Sequence, residues 1–149
     1  MQQTFLTEHF SLREMTKTSV KGVDNSPDDK ALQNLKRLCQ WLERLRQRWN
    51  TYYGEGDDGI IINSGYRSDA VNRAVGGSKT SNHLTGCAAD IRCAGVEQAL
   101  RYAVLILDYA DTTKQDFDEL LVEKSGNKYW VHLAVRPTGN RRNSKILTL

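Results

Sequence analysis

FDELLVEKSGNKYWVHLAV, Phe117–Val135, holds two short runs of alternating character on either side of a turn. In the second run Val131, Leu133 and Val135 fall on one side, and Trp130, His132 and Ala134 on the other. In the first, Leu120 and Val122 point inward while Glu119, Leu121 and Glu123 point away. Period two over these lengths predicts strands at Phe117–Glu123 and Tyr129–Val135. Lys124–Lys128 between them reads as a five-residue hairpin loop.

Upstream, CAADIRC at Cys87–Cys93 alternates in the same way, with Cys87, Ala89, Ile91 and Cys93 on one face and Ala88, Asp90 and Arg92 on the other. A short β-branched strand is expected over Ile60–Ser64. Helices precede and separate these strands. Ser11 to Glu14 form a capping box. Ser26-Pro27-Asp28-Asp29 reads as a cap followed by proline at the first helical position. From there Leu32, Leu35, Leu38, Cys39, Leu42, Leu45 and Trp49 trace one apolar stripe, leaving Lys36, Arg37, Arg44, Arg46 and Arg48 for the wet side. Ser68 caps a small helix over Asp69–Ala74, and Gly95–Tyr109 is apolar almost all round, the pattern of a buried helix. This order predicts an α+β fold: one domain with a small, mainly antiparallel sheet and helices packed on one face. Within residues 1–149, a helical part covers 1–50, the site-bearing core 59–136 and a basic tail 137–149.

The 149 residues suffice for one hydrophobic core. A net charge of +3 neither requires nor forbids an anionic partner. No run approaches the ~20 apolar residues of a membrane helix, and the N-terminus carries no secretory pattern. The expectation is therefore a chain made in the cytoplasm, monomeric, with no membrane or nucleic-acid partner. The basic helix face and Gly139–Arg142 lack the aromatic stacking residues of a nucleic-acid binder. Three cysteines, Cys39, Cys87 and Cys93, cannot all pair, and Cys87 and Cys93 are spaced too widely for a zinc pair, so all three read as small buried residues.

Three strands thus offer Asp90, His132 and an acid to one shared cleft, and His83 arrives from the loop before its strand. His9 has no such company and reads as structural. Two neutral imidazoles and a carboxylate, His83, Asp90 and His132, form a three-ligand set that suits one zinc ion with a fourth position left to water. Such an open site is the hydrolytic kind: the metal acidifies bound water and polarises a carbonyl. Glu123 is the favoured proton acceptor, ahead of Glu119 and Asp118; the plainer reading is a hairpin-end acid paired with Lys124 or Lys128. Arg67, after the short strand, is either a surface arginine or a clamp for a carboxylate or oxyanion. Ser81 either orients a ligand or caps its turn, and Trp130 is available to substrate on the same face.

These residues resemble a known family. SNHLTGCAAD at Ser81–Asp90, followed by WVH at Trp130–His132, is similar to the signature of M15-type zinc peptidases, the D-alanyl-D-alanine carboxypeptidase-like enzymes with a Hedgehog-like zinc fold. NSGYRS, FDELLVE and the opening HFSLREMTKT and DNSPDD resemble its phage- and prophage-associated branch. The resemblance implies zinc on His83, Asp90 and His132, a catalytic acid upstream of His132, and Arg67 as clamp. It also implies a peptidoglycan stem peptide as substrate, cut by a carboxypeptidase or an endopeptidase that reaches the wall once released. Many relatives carry the acid three residues before the last histidine, where this chain has Tyr129; Glu123 then has to reach in from the neighbouring strand. The alternative is a non-catalytic, metal-containing wall-binding or virion module of the same fold.

Overall fold

Asp28, not Ser26, opens the longest helix: its carboxylate accepts a hydrogen bond from the Ala31 N–H, and the helix runs Asp29–Tyr52 (α2). A side-chain oxygen on the second or third free N–H of a helix contributes about 1 kcal/mol, and Asp28 reaches that donor where Ser26 stands two residues too early. The computed structural model describes residues 3–148, Thr148 by its backbone alone. Ahead of α2 lies α1 (Leu12–Thr16), whose Ser11–Glu14 capping box is complete. Then follow β1 (Ile62–Ser64), α3 (Asp69–Ala74) capped by Ser68, a 3-10 turn at Asn82–Thr85, β2 (Ala88–Cys93), α4 (Val96–Thr113), β3 (Glu119–Ser125), β4 (Lys128–Ala134) and β5 (Asn143–Thr148).

The five strands form one sheet in the order β1-β2-β4-β3-β5. The first three pairings are antiparallel. β5 joins β3 in parallel, a strand that the basic composition of the tail does not announce. The expected five-residue hairpin loop is shorter. Ser125 pairs with Lys128, so only Gly126 and Asn127 turn the chain, and Gly126 takes a positive φ of 59° at the first turn position, where two-residue hairpins favour glycine.

Ala89, Ile91, Leu120, Val122, Val131 and Leu133 are buried and share a core with Leu35, Leu38, Leu42 and Leu45 of α2 and Ala99, Tyr102, Ala103 and Ile106 of α4. The two long helices therefore cover one face of the sheet. Trp41 meets Tyr109 edge-on at 5.0 Å, and Trp49 meets Tyr102 at 4.9 Å, locking α2 to α4. α4 is not buried all round: Val96, Leu100 and Val104 are each about half exposed, at 46%, 45% and 50%. Only one stripe of the helix meets the sheet and α2, and apolar character on the far side does not by itself supply a partner. Cys39 and Cys87 are buried, Cys93 is partly so, and all three are free.

Candidate metal centre

Strand register builds the other face of the sheet. Asp90 on β2 pairs directly with His132 on β4. On the far side of β4, Leu121 stands opposite His132, with Glu119 opposite Ala134 and Glu123 opposite Trp130. The two glutamates are thus the diagonal neighbours of His132, close enough for long side chains to reach it.

His83 enters from the 3-10 turn. Ser81 caps that turn by accepting from the His83 N–H at 3.1 Å. Gly86 ends it at φ 75°, and a Cβ there would lie 2.5 Å from the Ala31 carbonyl oxygen of α2. The glycine therefore answers two constraints, a left-handed backbone and a close approach. His83 Nδ1 lies 2.6 Å from the Gly65 carbonyl oxygen, which can only accept, so Nδ1 carries the proton and Nε2 presents its lone pair. Nε2 lies 3.4 Å from Asp90 Oδ1. His132 Nδ1 lies 2.9 Å from the same oxygen, and its Nε2 lies 3.1 Å from Glu119 Oε1.

One donor atom from each of His83, Asp90 and His132 lies within 4.8 Å of the others, so the three could hold a metal ion. Four-coordinate bonds of about 2.0–2.1 Å place ligand atoms about 3.3 Å apart; the two contacts to Asp90 fall near that spacing. Each imidazole also has a partner on its outer nitrogen, Gly65 or Glu119, the arrangement that fixes ring orientation in metal sites. Charge agrees. Burial alone would raise the Asp90 carboxyl, but hydrogen bonds with His132 and His83 outweigh it and hold the group far below the usual range. Burial would lower His132, yet Asp90 and Glu119 push it up to about 9. The carboxylates favour a positive charge at this centre.

Beside it lies a cleft of about 520 Å³ that reaches the centre at His132, with Glu119, Leu121 and Glu123 on its sheet side, Ser78, Thr80, Ser81 and Asn82 on its loop side, and Arg136 and Arg141 also in its wall. The hollow of about 550 Å³ beside His9 and Glu43 is elsewhere and includes none of the three ligands. There His9 Nδ1 lies 2.7 Å from Glu43 Oε1, a tie between the N-terminal segment and α2. Glu119, placed behind Glu123 in the sequence reading, is the acid that touches His132. It also accepts from Asn82 Nδ2 at 2.7 Å, and its carboxyl is lowered, chiefly by His132. Glu123 lines the cleft and is raised, chiefly by burial. Arg67 lies against the triad, its Nη2 3.4 Å from Asp90 Oδ2 and its Nε donating to Ser64 Oγ at 3.1 Å. Trp130, half-buried, stands opposite Glu123.

Sequence-based family comparison agrees with this geometry: the sequence model described as Peptidase M15 matches residues 8–133. The chain belongs to the Peptidase M15 family. Membership implies a hydrolytic enzyme, a metallopeptidase. No curated protein matches the chain closely. No helix among the described residues is long and apolar enough to cross a membrane.

Sequence reasoning missed a polar network behind Glu119. Asp118, fully buried, accepts from Asn82 Nδ2 at 2.8 Å and from Arg141 Nε at 3.0 Å and Nη2 at 2.8 Å. Arg136 Nε donates to Asn82 Oδ1 at 2.9 Å. Arg136 was findable, since it continues the parity of Trp130, His132 and Ala134 past the strand end. Asn82 and Arg141 belong to no periodic pattern.

Proposed function

We propose that this M15 peptidase is zinc-dependent and hydrolyses an amide bond in peptidoglycan stem peptides, as a carboxypeptidase or endopeptidase. The convergence of His83, Asp90 and His132 beside a cleft holding an acid not hydrogen-bonded to the triad supports this reading. His83 Nε2, Asp90 Oδ1 and His132 Nδ1 are the atoms that would hold the ion. Zinc so bound would polarise the scissile carbonyl and acidify a water molecule.

The protein's own groups do the rest. Glu123 takes the proton of the attacking water and returns it to the departing amine; burial raises its carboxyl towards the range where a base works best near neutral pH. Glu119 holds the His132 ring through Nε2, and the Gly65 carbonyl holds His83 through Nδ1. Arg67 keeps guanidinium donors for a substrate carboxylate or developing oxyanion while bracing Asp90. Ser81 and Trp130 border the path of the peptide.

The test is digestion of purified peptidoglycan by zinc-loaded protein, with release of amines or D-alanine and a mass-spectrometric map of products. His132→Ala is expected to lose both zinc and hydrolysis while keeping its far-ultraviolet spectrum. Stoichiometric zinc with no turnover on any wall fragment would instead indicate a non-catalytic module. Full hydrolysis by Glu123→Ala would remove Glu123 as the base.

A further inference from the structure

Arg136 stands where two hollows meet. The cleft of the metal centre shares Thr80, Ser81, Asn82 and Arg136 with a second depression of about 360 Å³, whose other walls include Lys30, Cys87, Pro137 and Thr138. A peptide leaving the metal centre over Ser81 would pass directly into it.

The guanidinium of Arg136 is held on one edge only. Nε donates to Asn82 Oδ1 at 2.9 Å and lies 3.2 Å from Asp118 Oδ2. Its Nη1 and Nη2 make no hydrogen bond among the described residues. Asp118 neutralises only part of this charge, because its one carboxylate is shared with Arg141, which contacts both of its oxygens. The side chain is two-thirds buried, at 33% exposure, so its geometry is set before any ligand arrives. A guanidinium fixed through Nε and open along its Nη edge matches the two oxygens of a carboxylate.

The charges on either side of Arg136 differ. The metal-side cleft carries Glu119 and Glu123 together with Arg141, whose guanidinium is already engaged by Asp118. The depression beyond is lined by two cations, Lys30 and Arg136, and among the described residues by no carboxylate. We infer that this depression is a substrate subsite for a peptide carboxylate, gripped by the Nη edge of Arg136 with Lys30 as a second positive charge. The inference rests on the peptidase reading above and extends it to specificity. A stem peptide with lysine at its third position offers two such groups, the α-carboxylate of its γ-linked glutamate and its C-terminus.

Four synthetic stem pentapeptides separate them: both carboxylates free, either one amidated, and both amidated. Binding is measured by calorimetry on zinc-loaded Glu123→Gln protein, so that the peptides persist, and hydrolysis is followed in parallel on the unmodified enzyme. With Arg136 intact, one of the two single amidations weakens binding about tenfold and identifies the carboxylate that is read. Adding Arg136→Gln removes the effect of that amidation, so that peptides differing only at that carboxylate bind within twofold of one another. Lys30→Gln, on the exposed first turn of α2, reduces the preference to about threefold, and this variant decides if Arg136→Gln unfolds. Equal binding of all four peptides by protein with Arg136 intact, or a preference that stays near tenfold after either substitution, overturns the subsite. Hydrolysis without a carboxylate preference that depends on Arg136 or Lys30 sinks the subsite alone; neither hydrolysis nor binding of any peptide removes the peptidase reading and the subsite with it.

Discussion

Glu119 and Glu123 are the same amino acid on the same face of one strand, and the fold gives them different work. Glu119 is pinned between His132 Nε2 and Asn82 Nδ2 and is lowered, so it stays charged and steadies the ring. Glu123 makes neither contact and is raised by burial. Glu119→Gln is therefore expected to weaken zinc binding roughly 10- to 100-fold in competition with a chelator. Glu123→Gln should leave zinc affinity unchanged within about twofold and lower hydrolysis roughly 10²- to 10⁴-fold. The reverse pattern would exchange their roles. Strand parity in the sequence places both acids beside His132 but does not rank them, because the residue that separates them, Asn82, arrives from a turn 37 positions away.

At the scale of elements, two glycines test what the turns require. Gly86 and Gly126 both have positive φ, but a Cβ at Gly86 would strike the Ala31 carbonyl, whereas at Gly126 it would meet nothing within 4 Å. Gly126→Ala should cost about 1 kcal/mol from backbone strain alone. Gly86→Ala should cost about 3 kcal/mol, adding a collision that pushes the His83 turn off α2. Thermal unfolding of the two variants checks this, and equal shifts would show that the contact with α2 is not limiting. Elements with their own periodicity or cap, such as α3 with Ser68 and β2 with its alternation, were legible in the sequence. β5 was not. Its residues, Asn143–Thr148, are mostly polar and exposed, and the strand exists because β3 offers it an edge.

Across the whole molecule, Asp118 ties that tail to the sheet. Burial alone would raise its carboxyl, but hydrogen bonds from Arg141 and Asn82 hold it down to about 2. The unfolded value is about 3.9, so the stabilisation is complete above about pH 4 and is lost as pH falls to about 2. Asp118→Asn should be destabilised by roughly 2 kcal/mol at pH 7. Its melting temperature should then fall less than that of the unmodified protein between pH 4 and pH 2; parallel curves would deny Asp118 this part. The α+β class, the mainly antiparallel sheet and the three candidate ligands could be read from the sequence because alternation and a signature carry them. Asp118 could not, since its partners Asn82, Arg136 and Arg141 are brought together only by the tertiary fold.

The two-residue turn at Gly126-Asn127 has a last consequence for how the hairpin chooses its pairing. If β3 slid by one residue against β4, Leu120 and Val122 would emerge into water and both glutamates would be forced beneath α4 without partners. Each stranded carboxylate would cost several kcal/mol, far more than any misaligned ladder could recover. The acids assigned to chemistry thus also act as sentries over assembly, and a chain that zips up out of step is rejected before it can persist.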